Sequence, residues 1–325
     1  MKKHFKKLLL MALMAVMAVG LIACGTDKSD NESTKEEKTS VTITSLDASK
    51  NEIELEVPYN PKRIAILDLA SLDIIDELGV GDRVVGMAST SIDYLEKYSN
   101  DASIKNLGTI KEVDLEAVME CEPDIIFIGG RLSKSYDALS EIAPVVYLAT
   151  DTNEGLVNSV SKNAKTIASI FGMEDKVDSL MSDFGARIDA IKKISSGKTA
   201  LVGMTTSGSF NLLGNDGRCS LIGVEAGFNN LTAAGSTSTH GNESSFETVV
   251  QQNPDYIFVM DRDSAISTAG AKTAKEIVEN ELVKTTDAYK NNHIIYLEHS
   301  NVWYTAEGGI QALDIMLTDL EKGLK

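Results

Sequence analysis

Three arginines in this chain stand where cations can be gathered against an anion. Arg131 and Arg262 each close one copy of a repeated segment, and Arg218 follows Asn215-Asp216-Gly217, where a strand turns into a helix. A guanidinium stays charged at any physiological pH and offers a planar fork of donors, and helix starts favour anions in their own right. A single arginine is equally well explained by a surface pair with Asp or Glu, which this acidic chain has to spare. Three at strand ends or helix starts, two of them related by the repeat, point instead to an anion pocket. Two further side chains can donate to a metal. His240 lies in a Gly/Ser/Thr-rich loop 22 residues before Arg262, and Tyr304 lies in the run Asn-Val-Trp-Tyr-Thr-Ala-Glu-Gly-Gly of residues 301–309. Phenolate oxygen and imidazole both suit a hard cation such as high-spin Fe(III). Taken singly, a solvated loop histidine and a tyrosine packed beside Trp303 remain open readings.

The elements that position these groups follow from the repeat. Residues 115–131, LEAVMECEPDIIFIGGR, align without gaps to residues 246–262, FETVVQQNPDYIFVMDR. Each copy reads as a helix, a Pro-Asp break and a strand, with Asp114 and Ser245 standing where helix N-caps are expected. The second residues of the copies, Glu116 and Glu247, match in position; a glutamate in a first helical turn also suits the helix dipole by itself. Apolar runs at residues 63–67, 84–87, 125–128 and 145–148, then at 200–204, 256–260 and 294–297, alternate with helical patterns. Near-continuous Val/Ile/Leu strands separated by helices predict parallel sheets covered on both faces, an α/β fold. In such sheets ligands bind beyond the carboxyl ends of the strands, which puts Arg131 and Arg262 on opposing walls of one cleft. The reading is of two Rossmann-like lobes, residues 41–150 and 198–325, joined by a helical connector at 151–197. Within it Val177, Leu180, Met181, Phe184, Ile188 and Ile191 form one stripe without an intervening proline. That stripe predicts a single long helix over about 174–194, roughly 30 Å in length.

The N-terminus reads as an address. Lys2, Lys3, Lys6 and Lys7 precede a charge-free apolar stretch of 16 residues, from Leu8 to Ala23, and Ala23-Cys24-Gly25 follows. The stretch is short for a membrane span and right for a signal peptide, residues 1–23, and the junction resembles a lipobox with Cys24 as the lipidated mature terminus. Residues 24–40 carry almost no large apolar side chain and read as a solvated tether. Removal of residues 1–23 takes four of the 31 basic and none of the 48 acidic residues, leaving a formal charge of −21. So acidic a body excludes a nucleic-acid binder and an anionic membrane surface as partners. Cys121 and Cys219 fall in different halves without metal-ligand spacing, so two small buried residues are expected rather than a disulfide.

Residues 61–87 (PKRIAILDLASLDIIDELGVGDRVVGM), both repeat copies, STHGNESSFE (238–247), VMDRD (259–263) and NVWYTAEGG (301–309) carry a family resemblance. From about residue 41 onward the chain resembles the class III periplasmic-type binding proteins, which take up ferric siderophores and cobalamin. Within them it is most similar to catecholate and petrobactin-type receptors. The resemblance implies a monomeric extracytoplasmic component of an ABC importer with no intrinsic cofactor, handing an Fe(III)-siderophore to permease subunits with a cytoplasmic ATPase. It implies that Arg131, Arg218 and Arg262 form the anion pocket. It further implies that His240 and Tyr304 fill the two iron positions left open by a tetradentate bis-catecholate, and that Glu116 and Glu247 meet permease arginines. Haem or cobalamin on the same fold is the alternative cargo. A metal-dependent enzyme or chelatase on that scaffold finds little support, because no Gly-x-Ser-x-Gly elbow or phosphate loop occurs and only His240, His293 and His299 follow the leader.

Overall fold

The computed structural model describes residues 38–234 and 237–325. The basic leader, Cys24 and the tether up to residue 37 lie outside the described residues. The first element is an antiparallel hairpin of β1 (Ser40–Leu46) and β2 (Glu52–Pro58), which the sequence pattern did not separate from the first lobe. Asp47 closes its turn by accepting the Ser49 and Asn51 N–H groups at 2.8 and 2.9 Å. Ser45 ties the hairpin to the first lobe by accepting the Tyr147 N–H at 2.9 Å.

The first lobe is a five-stranded, all-parallel sheet. It is built from β3 (Ile64–Leu67), β4 (Val84–Met87), β5 (Lys105–Asn106), β6 (Ile125–Ile128) and β7 (Val145–Tyr147), in the order β5-β4-β3-β6-β7. Every residue of β3, β6 and β7 is buried, as expected for strands covered on both faces. Helix α1 (Leu69–Glu77) leaves β3 through Asp68, whose carboxylate caps the Ser71 N–H at 2.9 Å. The second sheet runs β11-β9-β8-β12-β13, with β10 (Asn229–Asn230) also on β8. Its centre of β8 (Thr199–Thr206), β12 (Tyr256–Asp261) and β13 (Ile294–Tyr296) is parallel. Its edge is not. β9 (Ser209–Leu212) folds back antiparallel on β8, and β11 (Asn242–Glu243) pairs antiparallel with β9. Ser207 and Gly208 both take positive φ (50° and 80°), the geometry that a two-residue hairpin turn demands.

The connector departs from the single helix expected at 174–194. Its longest piece is α3 (Leu156–Phe171), stopped by Gly172 in the left-handed region, with the Met173 N–H returning to the Ala168 carbonyl. The predicted segment is two helices, α4 (Glu174–Leu180) and α5 (Phe184–Ser195), with a turn at residues 181–183. At the break the Ser182 hydroxyl donates to the Ser179 carbonyl at 2.9 Å, the local competition by which serine loosens helix ends. Val177, Phe184, Ile188 and Ile191 are nonetheless all buried. The stripe was real; the continuity was not.

The terminal helix α9 (Ile310–Gly323) leaves the second sheet and packs on α1 and α5. Its first turn is held from the first lobe. Asp73 of α1 accepts the Gln311 and Ala312 N–H groups, each at 2.9 Å, and the Tyr94 hydroxyl at 2.7 Å. One apolar core therefore runs behind both sheets through Leu72, Ile75, Ile167, Ile188, Leu313 and Leu317.

Candidate ligand site between the lobes

Both repeat helices form as capped. Asp114 accepts the Ala117 N–H at 3.0 Å at the start of α2 (Leu115–Glu120), and Ser245 the Thr248 N–H at 3.3 Å at the start of α6 (Phe246–Gln252). Each is followed by its strand and then its arginine. Arg131 emerges from a 3-10 turn after Gly129 and Gly130. Arg262 opens the short helix α7 (Arg262–Ala265), whose N-cap Asp261 accepts the Ser264 N–H at 3.0 Å. Arg218 lies in the turn after β9 and donates to the Thr239 carbonyl at 2.8 Å.

All three guanidiniums surround one phenol. Their carbon centres lie 4.5 Å (Arg218), 5.5 Å (Arg131) and 5.9 Å (Arg262) from the centroid of the Tyr304 ring. Arg131 also donates to the Tyr304 carbonyl at 3.0 Å. Tyr304 itself is 3% exposed and sits on α8 (Ser300–Thr305). The helix is fixed by its neighbour Trp303, whose indole N–H donates to Asp319 of α9 at 3.0 Å; the same carboxylate takes the His299 N–H at 3.0 Å and its Nδ1 at 2.8 Å. Burial pushes the phenol's pKa up, but the Arg262 hydrogen bond and the fields of Arg218, Arg262 and Arg131 outweigh it, so the net direction is down. That favours the phenolate, the form that ligates a hard cation.

His240 is exposed on the loop before β11, with its carbonyl held by Asn211 Nδ2 at 2.8 Å. Partial burial, then the fields of Arg262, Arg218, Lys111 and Arg131, lower its pKa, which favours the neutral ring. Lys111 belongs to the first lobe and was not singled out from sequence, since a lone loop lysine carries no signal. The alternative reading, that each arginine merely pairs with an acid, fits one of the three, and there the acid is buried. Arg262 pairs with Asp263 at 2.9 Å, whereas neither Arg131 nor Arg218 has an ion pair among the described residues. The Arg262 Nε is buried without a partner.

A cavity of about 460 Å³ opens between the lobes, walled by Arg131 and Arg218, by Tyr304, and by Leu156, Asn163 and Ile167 of α3. Arg262 and His240 do not line it; Arg262 reaches it at Tyr304, and His240 lies in the field of its two arginines. Four carboxylates do line it, Asp68, Asp151, Asp216 and Glu307, and none stands out in the sequence. Glu307 accepts the Cys219 N–H at 2.9 Å, and burial pushes its pKa up to about 7 against the pull of Arg218 and Arg131. Glu116 and Glu247 are exposed in the first turns of α2 and α6, away from this cavity's lining. Cys121 and Cys219 are buried free thiols.

With this geometry in view, the match of residues 64–300 to the family described as periplasmic binding protein is decisive. The chain belongs to that family. Its fold is the family's two-lobed class III form. The petrobactin-binding protein YclQ of Bacillus subtilis is 36% identical over 98% of this chain and 99% of its own. The crystal structure of YclQ superimposes with a TM-score of 0.81, covering 88% of this chain and 99% of that one. The catecholate-siderophore binding protein VctP of Vibrio cholerae is 30% identical, with a TM-score of 0.78 over 87% of this chain and all of that one. As a periplasmic binding protein, the chain belongs to a family of substrate-binding proteins, and its cavity, lined by Arg131 and Arg218, lies between the two lobes.

Proposed function

We propose that this chain is the extracytoplasmic binding component of an ABC importer whose cargo is a ferric catecholate siderophore, a tetradentate bis-catecholate or a petrobactin-like chelate. The observation that carries the reading is the three guanidiniums around Tyr304. A ferric catecholate is a multiply charged anion, and withdrawing it from water requires cations that remain charged at every relevant pH. Arg131, Arg218 and Arg262 supply them. Its iron is hard, so the Tyr304 phenolate and the neutral His240 imidazole are suitable donors for two open coordination positions. The likeness to YclQ and VctP supports the same class of cargo.

The protein carries rather than converts. It works as a monomer tethered by lipid on Cys24, and offers Glu116 and Glu247, one from each lobe, to basic residues of the permease. Trp303 is the single tryptophan and adjoins Tyr304, so it reports on the cavity. Titrating the purified protein with a ferric bis-catecholate should shift the chelate's charge-transfer band and quench Trp303 at one equivalent. Silence toward ferric catecholates, with a response to haem or cobalamin, refutes the reading.

A further inference from the structure

The two longest helices among the described residues, α3 and α9, both begin on a glycine and so have no side-chain cap of their own. In each case a carboxylate from across the cleft stands in. Asp73 of α1, in the first lobe, accepts the Gln311 and Ala312 N–H groups of α9, one on each oxygen, at 2.9 Å. Glu225, just past the helical turn Ser220–Gly223 of the second lobe, accepts the Leu156 and Val157 N–H groups of α3 on Oε1, the latter at 3.2 Å. α3 itself packs on α1 and β1, on the side of the first lobe. The exchange therefore runs both ways. Both glycines are shaped to it. Gly155 has a φ of 81°, a region that suits no ordinary capping residue, and a Cβ there would lie 2.9 Å from Glu225 Oε1. Gly309 is extended, as any residue can be, yet a Cβ there would collide with the Asp73 carboxylate. Asp73 is fully buried, and Glu225 Oε2 is buried with no hydrogen-bond partner among the described residues. Neither carboxylate has an ion pair among those residues, so the positive ends of the two helices are what answer their charge.

The capped elements are the walls of the cavity. Leu156 and Ile167 of α3, Ser71 and Ile74 beside Asp73, and Tyr304 and Gly308 just ahead of α9 all line it. Moving one lobe against the other would strip the first turns of both helices of their acceptors, and buried amides left unpaired are costly. We propose that Asp73 and Glu225 are positioning residues for the cargo: by capping across the cleft they hold its walls at the spacing at which Tyr304 and the arginines meet the chelate. The effect on affinity rests on the ferric catecholate reading; the effect on the unliganded lobes does not.

Exchanging two residues separates positioning from mere helix stability. Asp73→Gly alone should lower both the denaturation midpoint and the affinity for a ferric bis-catecholate, the latter roughly tenfold. Adding Gly309→Asp returns a carboxylate to the start of α9 from its own chain, with room made for it at position 73. The double variant should recover the midpoint but not the affinity. Spin labels on unnatural side chains at Met119 of α2 and Gln251 of α6, exposed positions one to each lobe, report the lobe spacing without ligand. Their distance distribution should be broader in the double variant than in wild type. Glu225→Ala should broaden it as well, and decides the matter if the Asp73→Gly proteins do not fold. Affinity that returns together with the midpoint overturns the inference. So does a distribution as narrow in the variants as in wild type. A wild-type protein that binds no ferric bis-catecholate overturns the cargo reading alone, because the label distances still decide the role of the caps.

Discussion

The two copies of the repeat deliver their arginines differently. In the second lobe the strand β12 runs directly into a capped helix. Arg262 opens that helix, pairs with the buried Asp263 and hydrogen-bonds Tyr304. In the first lobe Gly129 and Gly130 intervene, and Arg131 leaves a 3-10 turn, exposed and without an ion pair among the described residues, reaching across to the Tyr304 carbonyl. One shared arrangement has thus been kept in position but not in energetics. The second lobe holds a finished half of the site. The first lobe holds a charge with no counter-ion among the described residues, spent only on one backbone carbonyl across the cleft and so open to an anionic cargo.

The largest effect expected is on the second lobe's donors. Replacing His240 by Ala together with Tyr304 by Phe should weaken a tetradentate ferric catecholate about 100-fold, but a hexadentate one far less, because only the former leaves iron positions to fill. Equal losses in parallel fluorescence titrations would remove both residues from the iron. Next come the paired arginines. Arg262→Ala leaves the Asp263 carboxylate buried and unpaired, so it should cost about 2–3 kcal/mol of fold stability as well as affinity. Arg131→Ala should weaken binding roughly tenfold with no change in denaturation midpoint. Equivalent melting curves for the two variants would erase the distinction drawn between the lobes.

pH should act through the same donors. His240 must be neutral to ligate, and its pKa already lies below the ordinary imidazole value because burial and the arginines disfavour the charged ring. Affinity for the tetradentate chelate should therefore hold through neutrality and decline only on the acid side of the usual imidazole range. His240→Ala should lack that decline in the same titration. The smallest effect concerns what the copies still share. Asp114→Ala and Ser245→Ala each remove a side-chain cap, and each should cost about 1 kcal/mol in chemical denaturation while leaving affinity intact.

Much of this was legible in the chain. Continuous apolar runs marked β3, β6, β8 and β12, because a strand buried on both faces has no room for polar side chains. The caps Asp114 and Ser245 were legible because capping is local chemistry. The gap-free repeat marked Arg131 and Arg262 as strand-end residues, because each stands a fixed few positions beyond a Pro-Asp break that starts its strand. The helix at 174–194 was misread for an equally physical reason. Apolar periodicity reports which face is buried, and α4 and α5 present the same face although residues 181–183 interrupt them. The β8–β9 hairpin turned on Ser207 adopting positive φ, which no pattern announces.

What the sequence determined by itself was the architecture and the inventory: an α/β chain in two related halves, and the cations and donors suited to an anionic iron chelate. Only the tertiary structure decided that three arginines converge on one ring, that among the described residues Arg262 alone of the three has a counter-ion, and that Asp68 and Glu307 line the same cavity. Periodicity and capping act over a few residues and leave marks in sequence. Charge acts through space, and the groups whose fields meet at Tyr304 come from segments up to 173 residues apart.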